Sequence, residues 1–132
     1  MTASQLKVSE AAALAGVSDD TVRRWAEAGK LTLHKPDNGP VLIDGAELAG
    51  LLRELSAEPA LAPASKVSIR NRLTGIVTRV VKDDVMAQVD LQVGAFRVVS
   101  LISREAVDEL GIEVGVVAAA TVKATSVSIS LP

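Results

Sequence analysis

Residues 68–75 read SIRNRLTG, and the chain changes character there. Upstream, residues 56–65 (SAEPALAPAS) hold two prolines among small side chains and show no apolar period. Downstream, LTGIVTRVVKDD and VMAQVDLQV alternate β-branched or aliphatic residues with polar ones. Alternation of that kind marks a half-buried strand. Proline disfavours helix at the residue before it, so Glu58 and Ala62 lean extended and 56–65 becomes a short, semi-stiff linker. The expected organisation is a first domain over residues 1–55, a linker over 56–65 and a second domain over 66–132. The cluster itself places two arginines and an asparagine within eight residues of a chain whose formal net charge is -2.

Composition bounds what such a chain can be. Apolar residues make up 48% of the 132 residues but aromatics only 2%, the latter being Trp25 and Phe96. Any core must therefore be aliphatic. Two small aliphatic cores are each marginal, because small domains bury a low fraction of their surface, and oligomerisation is a natural remedy. There is no cysteine, which excludes disulfides and thiolate metal sites, and the single histidine, His34, cannot build a His-rich metal centre. MTASQLKVSE lacks the basic stretch and apolar core of a signal peptide, and no apolar run reaches membrane-span length. A soluble, cytoplasmic protein without membrane partners is expected. Residues 1–55 carry six basic and eight acidic side chains and residues 66–132 eight and seven, so neither half is strongly basic.

Outward from the linker toward the N-terminus, VSEAAALAGVSDDTVRRWAEAGKL (residues 8–31) has helical periodicity. Ser9 is a candidate N-cap for a first helix that Gly16 ends. Ser18 caps a second helix, whose positive end suits Asp19 and Asp20. Val22, Trp25 and Ala26 fall at i, i+3 and i+4, an inward stripe, and Gly29 ends the helix. LTLHKPDNGPVLID then reads as two short strands about a P-D-N-G turn. DGAELAGLLREL follows as a third helix capped by Asp44. Helix, turn, helix, hairpin, helix is a winged helix-turn-helix.

Toward the C-terminus, two alternating strands meet at Lys82-Asp83-Asp84, and Gly94-Ala95 turns into FRVVSLI. SREAVDELG is a short helix with Ser103 as N-cap and Gly111 beyond its last turn. VVAAATVKATSVSIS is a long run of β-formers. The expected fold class is α+β, a winged helix-turn-helix followed by a small OB-like five-stranded β-barrel with one short helix. In KVSIRN, Ser68 and Arg70 share a face; in TVKATSV, Lys123 and Thr125 do. Ser100 and Ser103 frame the junction of a strand with the short helix. Two cations, several hydroxyls and helical N–H groups, with no competing carboxylate, would suit a doubly charged oxyanion. Spacing alone leaves a second possibility open, a solvent-facing scatter of Ser, Thr and Lys.

Two resemblances bear on these readings. VSEAAALAGVSDDTVRRWAEAGKL resembles the helix-turn-helix of MerR-type and excisionase-type DNA-binding proteins over residues 6–55, most specifically in G-V-S-x-x-T-V-R-R-W. It implies that Ser18, Thr21, Arg23 and Arg24 face DNA, flanked by Lys30, His34 and Lys35. The wing departs from the usual Gly- and Arg-rich run, reading PDNGPVLID. SIRNRLTGIV, VVSLISREAVDELGI and TVKATSVSIS together resemble a Mop (molbindin-like, TOBE-type) domain over residues 66–131. That resemblance implies molybdate or tungstate as ligand, bound between subunits of a homo-oligomer. The implied contacts are Ser68, Arg70, Ser100, Ser103, Lys123, Ala124 through its main-chain N–H, and Thr125. Ala124 stands where a serine is common, and Arg72 is assigned a structural or solvated role.

The combination implies a molybdate- or tungstate-responsive DNA-binding regulator of transcription. The alternative is a molybdate storage or homeostasis protein whose helix-turn-helix serves assembly. No catalytic residues are expected, and no metal beyond the oxyanion itself. The chain lacks cysteine, a Gly-rich phosphate loop and an evident acid–base pair.

Overall fold

A computed structural model describes residues 4–56 and 68–132, and the chain divides into two compact units, Met1–Pro63 and Ala64–Pro132. The linker expected over 56–65 lies, from residue 57 onward, outside the described residues.

The first unit runs β1 (Gln5–Lys7), α1 (Val8–Ala15), α2 (Asp19–Glu27), β2 (Leu42–Asp44) and α3 (Gly45–Leu55). Local sequence chemistry sets most of these boundaries. Gly16 takes φ 71, the left-handed conformation that lets its N–H return to the carbonyls closing α1. The Ser18 hydroxyl accepts the Thr21 N–H at 3.2 Å, and the Asp44 carboxylate accepts that of Ala46 at 3.1 Å, so both caps form as expected. Ser9 is not a cap. Helix α1 begins one residue before it, at Val8, with Lys7 as N-cap and the Lys7 N–H donated to Glu10 Oε1 at 3.1 Å. The acid at the third position of the helix reaches back to the N-cap N–H, and no side-chain cap bond to the first turn accompanies it.

Val8, Ala11, Ala12, Val22, Leu31, Ile43, Leu48 and Leu51 form the buried core of this unit, and Trp25 packs half-buried against it. Burying each of the larger aliphatics contributes about 1.5–3 kcal/mol. The expected hairpin is reduced to a single bridge between His34 and Leu42, with backbone bonds of 2.8 and 2.7 Å. Strand β2 pairs with β1 instead, Leu6 opposite Ile43. Pro36 and Pro40 are the physical reason: each lacks an N–H, so the turn arms have few rungs to offer.

The second unit is an antiparallel sheet of order β5-β4-β3-β6, built from β3 (Asn71–Lys82), β4 (Met86–Val93), β5 (Phe96–Ser103) and β6 (Val117–Val122). Helix α4 (Arg104–Leu110) follows β5, and a 3₁₀ turn over Ala124–Ser126 follows β6. Strand β3 is shared: Asn71–Ile76 pair with β6, while Ile76–Lys82 pair with β4 across a bulge between Val77 and Arg79. A bulge bends and twists its strand, and here the sheet curls. Val77, Ala87, Val89, Leu91 and Val107 are buried inside the curl.

The strand count corrects the expectation of a five-stranded barrel. Among the described residues the sheet has four strands: Ser68–Arg70 precede the first rung, and residues 127–132 join no strand there. The two edges, β5 and β6, instead face each other across a groove of about 360 Å³ lined by Val98, Ser100, Ile102, Ala118, Ala120 and Val122 among others.

Gly75 is required by a close approach of backbone. A Cβ there would overlap the Gln92 carbonyl oxygen on β4. Gly50, inside α3, has open space around it. Gly75→Ala is expected to cost about 1–3 kcal/mol and Gly50→Ala to add about 0.5–1 kcal/mol, opposite shifts that urea unfolding of the two variants would register.

Candidate functional site

In the first unit, α2 gathers a short polar chain. The Arg24 Nη2 donates to Thr21 Oγ1 at 3.1 Å, and that hydroxyl lies 3.0 Å from Ser18 Oγ. The contact lies at i,i+3 spacing along the helix, so the guanidinium is held over the first turn. Arg23 is exposed and points elsewhere, bordering clefts with Leu33 on one side and Pro40 and Val41 on the other. The structure therefore brings Ser18, Thr21 and Arg24 together and sets Arg23 beside the turn segment. Lys30 lines a different cleft, with Glu47 and Glu54 of α3, and so stands apart from that group. His34 and Lys35 are exposed, His34 holding the single bridge through its backbone.

In the second unit, the last rung of the β3–β6 ladder pairs Asn71 with Val122. Continuing that antiparallel register by one residue sets Arg70 opposite Lys123. Ser68 precedes the first, and Ala124 and Thr125 follow the second at the start of the 3₁₀ turn. Five of the seven expected oxyanion residues thus lie on two segments leaving one end of the sheet.

Ser100 and Ser103 lie on β5 rather than on these two segments. Ser100 lies on β5 and lines the groove. Ser103 ends β5 opposite Met86, near the end of β3 that is remote from Asn71. Its hydroxyl accepts the Ala106 N–H at 3.1 Å and caps α4, as the sequence suggested, which leaves its own O–H to donate. One chain does not bring Ser103 to Arg70 and Lys123.

The structure adds a cluster that the sequence reading did not single out. Asp90 on β4 is 4% exposed, bonded by Gln88 Nε2 at 3.0 Å and paired with Arg97 Nη2 at 2.8 Å. The Gln88 hydrogen bond, then the Arg97 hydrogen bond and charge, with Arg79 nearby, hold its carboxyl below the usual carboxylate range. Asp83 is lowered by the Met86 and Val85 N–H groups that cap the β3–β4 turn, and Asp108 chiefly by Lys82. Their signal was legible only as charged residues near a turn or on a strand's polar face. Among the described residues no group of three or more His, Cys, Asp or Glu is placed to hold a metal ion, and no helix is long and apolar enough to cross a membrane.

Comparison with known proteins now bears on both units. Residues 67–129 match the TOBE domain family model, and residues 7–41 match the model for MerR family regulatory proteins. Among solved structures, MopII from Clostridium pasteurianum, in an apo form, is 39% identical, spanning 50% of this chain and 100% of its own, with a TM-score of 0.47. A molybdate-binding protein from Sporomusa ovata is 31% identical over 51% of this chain and 100% of its own, with a TM-score of 0.49. No curated protein matches the sequence significantly. The chain is thus a two-module protein, a helix-turn-helix segment ahead of a small β-domain. The first module carries the match to the MerR model over residues 7–41 and the second the match to the TOBE domain over residues 67–129.

A folded-state carboxyl below its unfolded value stabilises the protein above the unfolded pKa, and that contribution disappears as pH falls through the folded one. The second unit should therefore lose stability as pH drops below about 4, the unfolded carboxylate value. Asp90→Asn is expected to lower stability at pH 7 and to flatten this acid limb. Thermal melts from pH 7 to pH 2.5 test both.

Proposed function

We propose that the protein is a molybdate- or tungstate-responsive DNA-binding regulator of transcription, with the oxyanion held where TOBE domains of two chains meet. What supports the reading is the β3–β6 ladder, whose last rung, Asn71 with Val122, leaves Arg70 and Lys123 as the next residue on each strand, while Ser103 lies opposite Met86 at the far end of the sheet. A site using all seven residues needs two chains. Ser68, Arg70, Lys123, the Ala124 N–H and Thr125 come from one, and Ser103 with the α4 terminus, and Ser100, from its partner. Guanidinium, ammonium, hydroxyl and main-chain N–H donors are what a tetrahedral dianion requires.

The tail supplies the means of pairing. Val127, Ile129 and Leu131 alternate and are 47%, 88% and 92% exposed. An alternating apolar segment without a partner suits the groove between β5 and β6 of a second copy, where a fifth strand would close the curl and cover both edges. Deleting residues 127–132 is expected to give a monomer by light scattering, with molybdate binding lost.

On the DNA side, α2 presents Ser18, Thr21 and Arg24 to the major groove, Arg23 meets phosphate, and Lys30, His34 and Lys35 flank them. Anion binding favours one arrangement of paired chains and so sets the spacing of helix-turn-helix units on their half-sites. The coupling exists only if the anion binds the two arrangements with different affinity.

The storage reading is favoured by one observation, the acidic balance of residues 1–55 joined to a turn segment closed by a single bridge. DNA binding separates the two. Arg70→Ala should weaken molybdate binding about a hundredfold, the loss of a charge-assisted contact. Arg23→Ala with Arg24→Ala should leave anion affinity intact, weaken DNA binding and lower its salt dependence by about one phosphate contact. Wild-type protein that binds molybdate but no promoter DNA at any salt would be a store.

A further inference from the structure

The five oxyanion residues at the sheet end lie on segments that are not themselves part of the ladder. Ser68–Arg70 precede β3 without regular structure, and Lys123–Thr125 leave β6 into a turn of three residues. Joining them at their root is one side-chain bond. The Asn71 Nδ2 donates to the Val122 carbonyl at 3.1 Å, partly buried, between residues that are already partners in the last rung. Arg70 is the residue before this bond on one strand, and Lys123 the residue after it on the other.

We infer that Asn71 is a positioning residue of the oxyanion site, clamping the two ligand-bearing segments together at their root. The inference rests on the oxyanion reading above. Strand ends fray first. Without a clamp, each binding event would have to order both segments. A clamp places that cost in the folding of the empty protein, and preorganisation of this kind raises affinity without a new contact to the ligand. The chemistry selects asparagine. A carbonyl only accepts, so its partner must donate at neutral pH, from a side chain short enough to stay at the rung. An aspartate has the same shape and no donor. Asn71 is absent from the set of direct anion contacts, and its role is exercised through Arg70, Lys123 and Thr125.

Calorimetric titration of the intact oligomer with sodium molybdate tests this in wild type, Asn71→Ala, Asn71→Asp, Thr125→Ala and the Asn71→Ala/Thr125→Ala pair. Asn71→Ala is expected to bind about tenfold more weakly, and the near-isosteric Asn71→Asp at least as weakly. Because Asn71 acts by holding the turn that carries Thr125, its removal should cost clearly less in the Thr125→Ala background than in wild type. A purely structural role would leave the two losses additive. Wild-type affinity in both Asn71 variants, or full additivity, would overturn the clamp. Absence of molybdate binding by wild-type protein would instead overturn the oxyanion reading on which it rests.

Discussion

Strand β3 belongs to two ladders, and the rest of the TOBE domain depends on how it is divided. Its first six residues pair with β6 and its remainder with β4, the two sets meeting at Ile76 beside a bulge. That division bends the sheet until its two edges face each other. It fixes the approach of Gly75 to Gln92, where no side chain fits. It also ends the β6 ladder at Asn71, so that Arg70 and Lys123 are the residues next to its last rung on the two strands. Core, groove and ligand end all follow from one curved strand.

What the division leaves undone supports the proposed pairing of two chains. A sheet of four strands with both edges open exposes donors, acceptors and apolar surface that a small aliphatic domain can scarcely leave uncovered. The alternating tail at residues 127–131 has the pattern of a strand, exposes its apolar side chains and joins no strand among the described residues. In the proposed assembly the same pairing that covers the edges also completes the anion site, so ligand and oligomer stabilise each other by mass action. The MerR-type module needs no contact with the anion in this scheme. Its response comes through whichever arrangement of chains the anion favours.

The legible parts of this structure were the local ones. Gly16, Ser18, Asp44, Ser103 and Gly111 act within a few residues of themselves, and their roles as helix ends could be read directly. Ser9 misled because Glu10 reaches back to the Lys7 N–H, a competition between two neighbouring cap geometries that composition does not rank. The strand count misled for a different reason. SIR and VSISL alternate like strands, but a strand exists only where another chain segment pairs with it, and pairing is not local. The same holds for Asp90, whose burial is made by Gln88 and Arg97 across neighbouring strand positions, and for Asn71, whose partner lies 51 residues away. Candidate oxyanion residues were nameable from the resemblance to Mop domains, whereas their separation into two groups required the register.

The most direct test of the central claim is a calorimetric titration of the purified wild-type protein with molybdate, against sulfate at equal ionic strength, with the number of anions per chain read from the same isotherm. The account predicts saturable molybdate binding at a fixed ratio to paired chains and far weaker binding of sulfate. An absence of molybdate heat at concentrations that saturate an oxyanion site, or equal affinity for the two anions in protein shown to be monomeric, would contradict it.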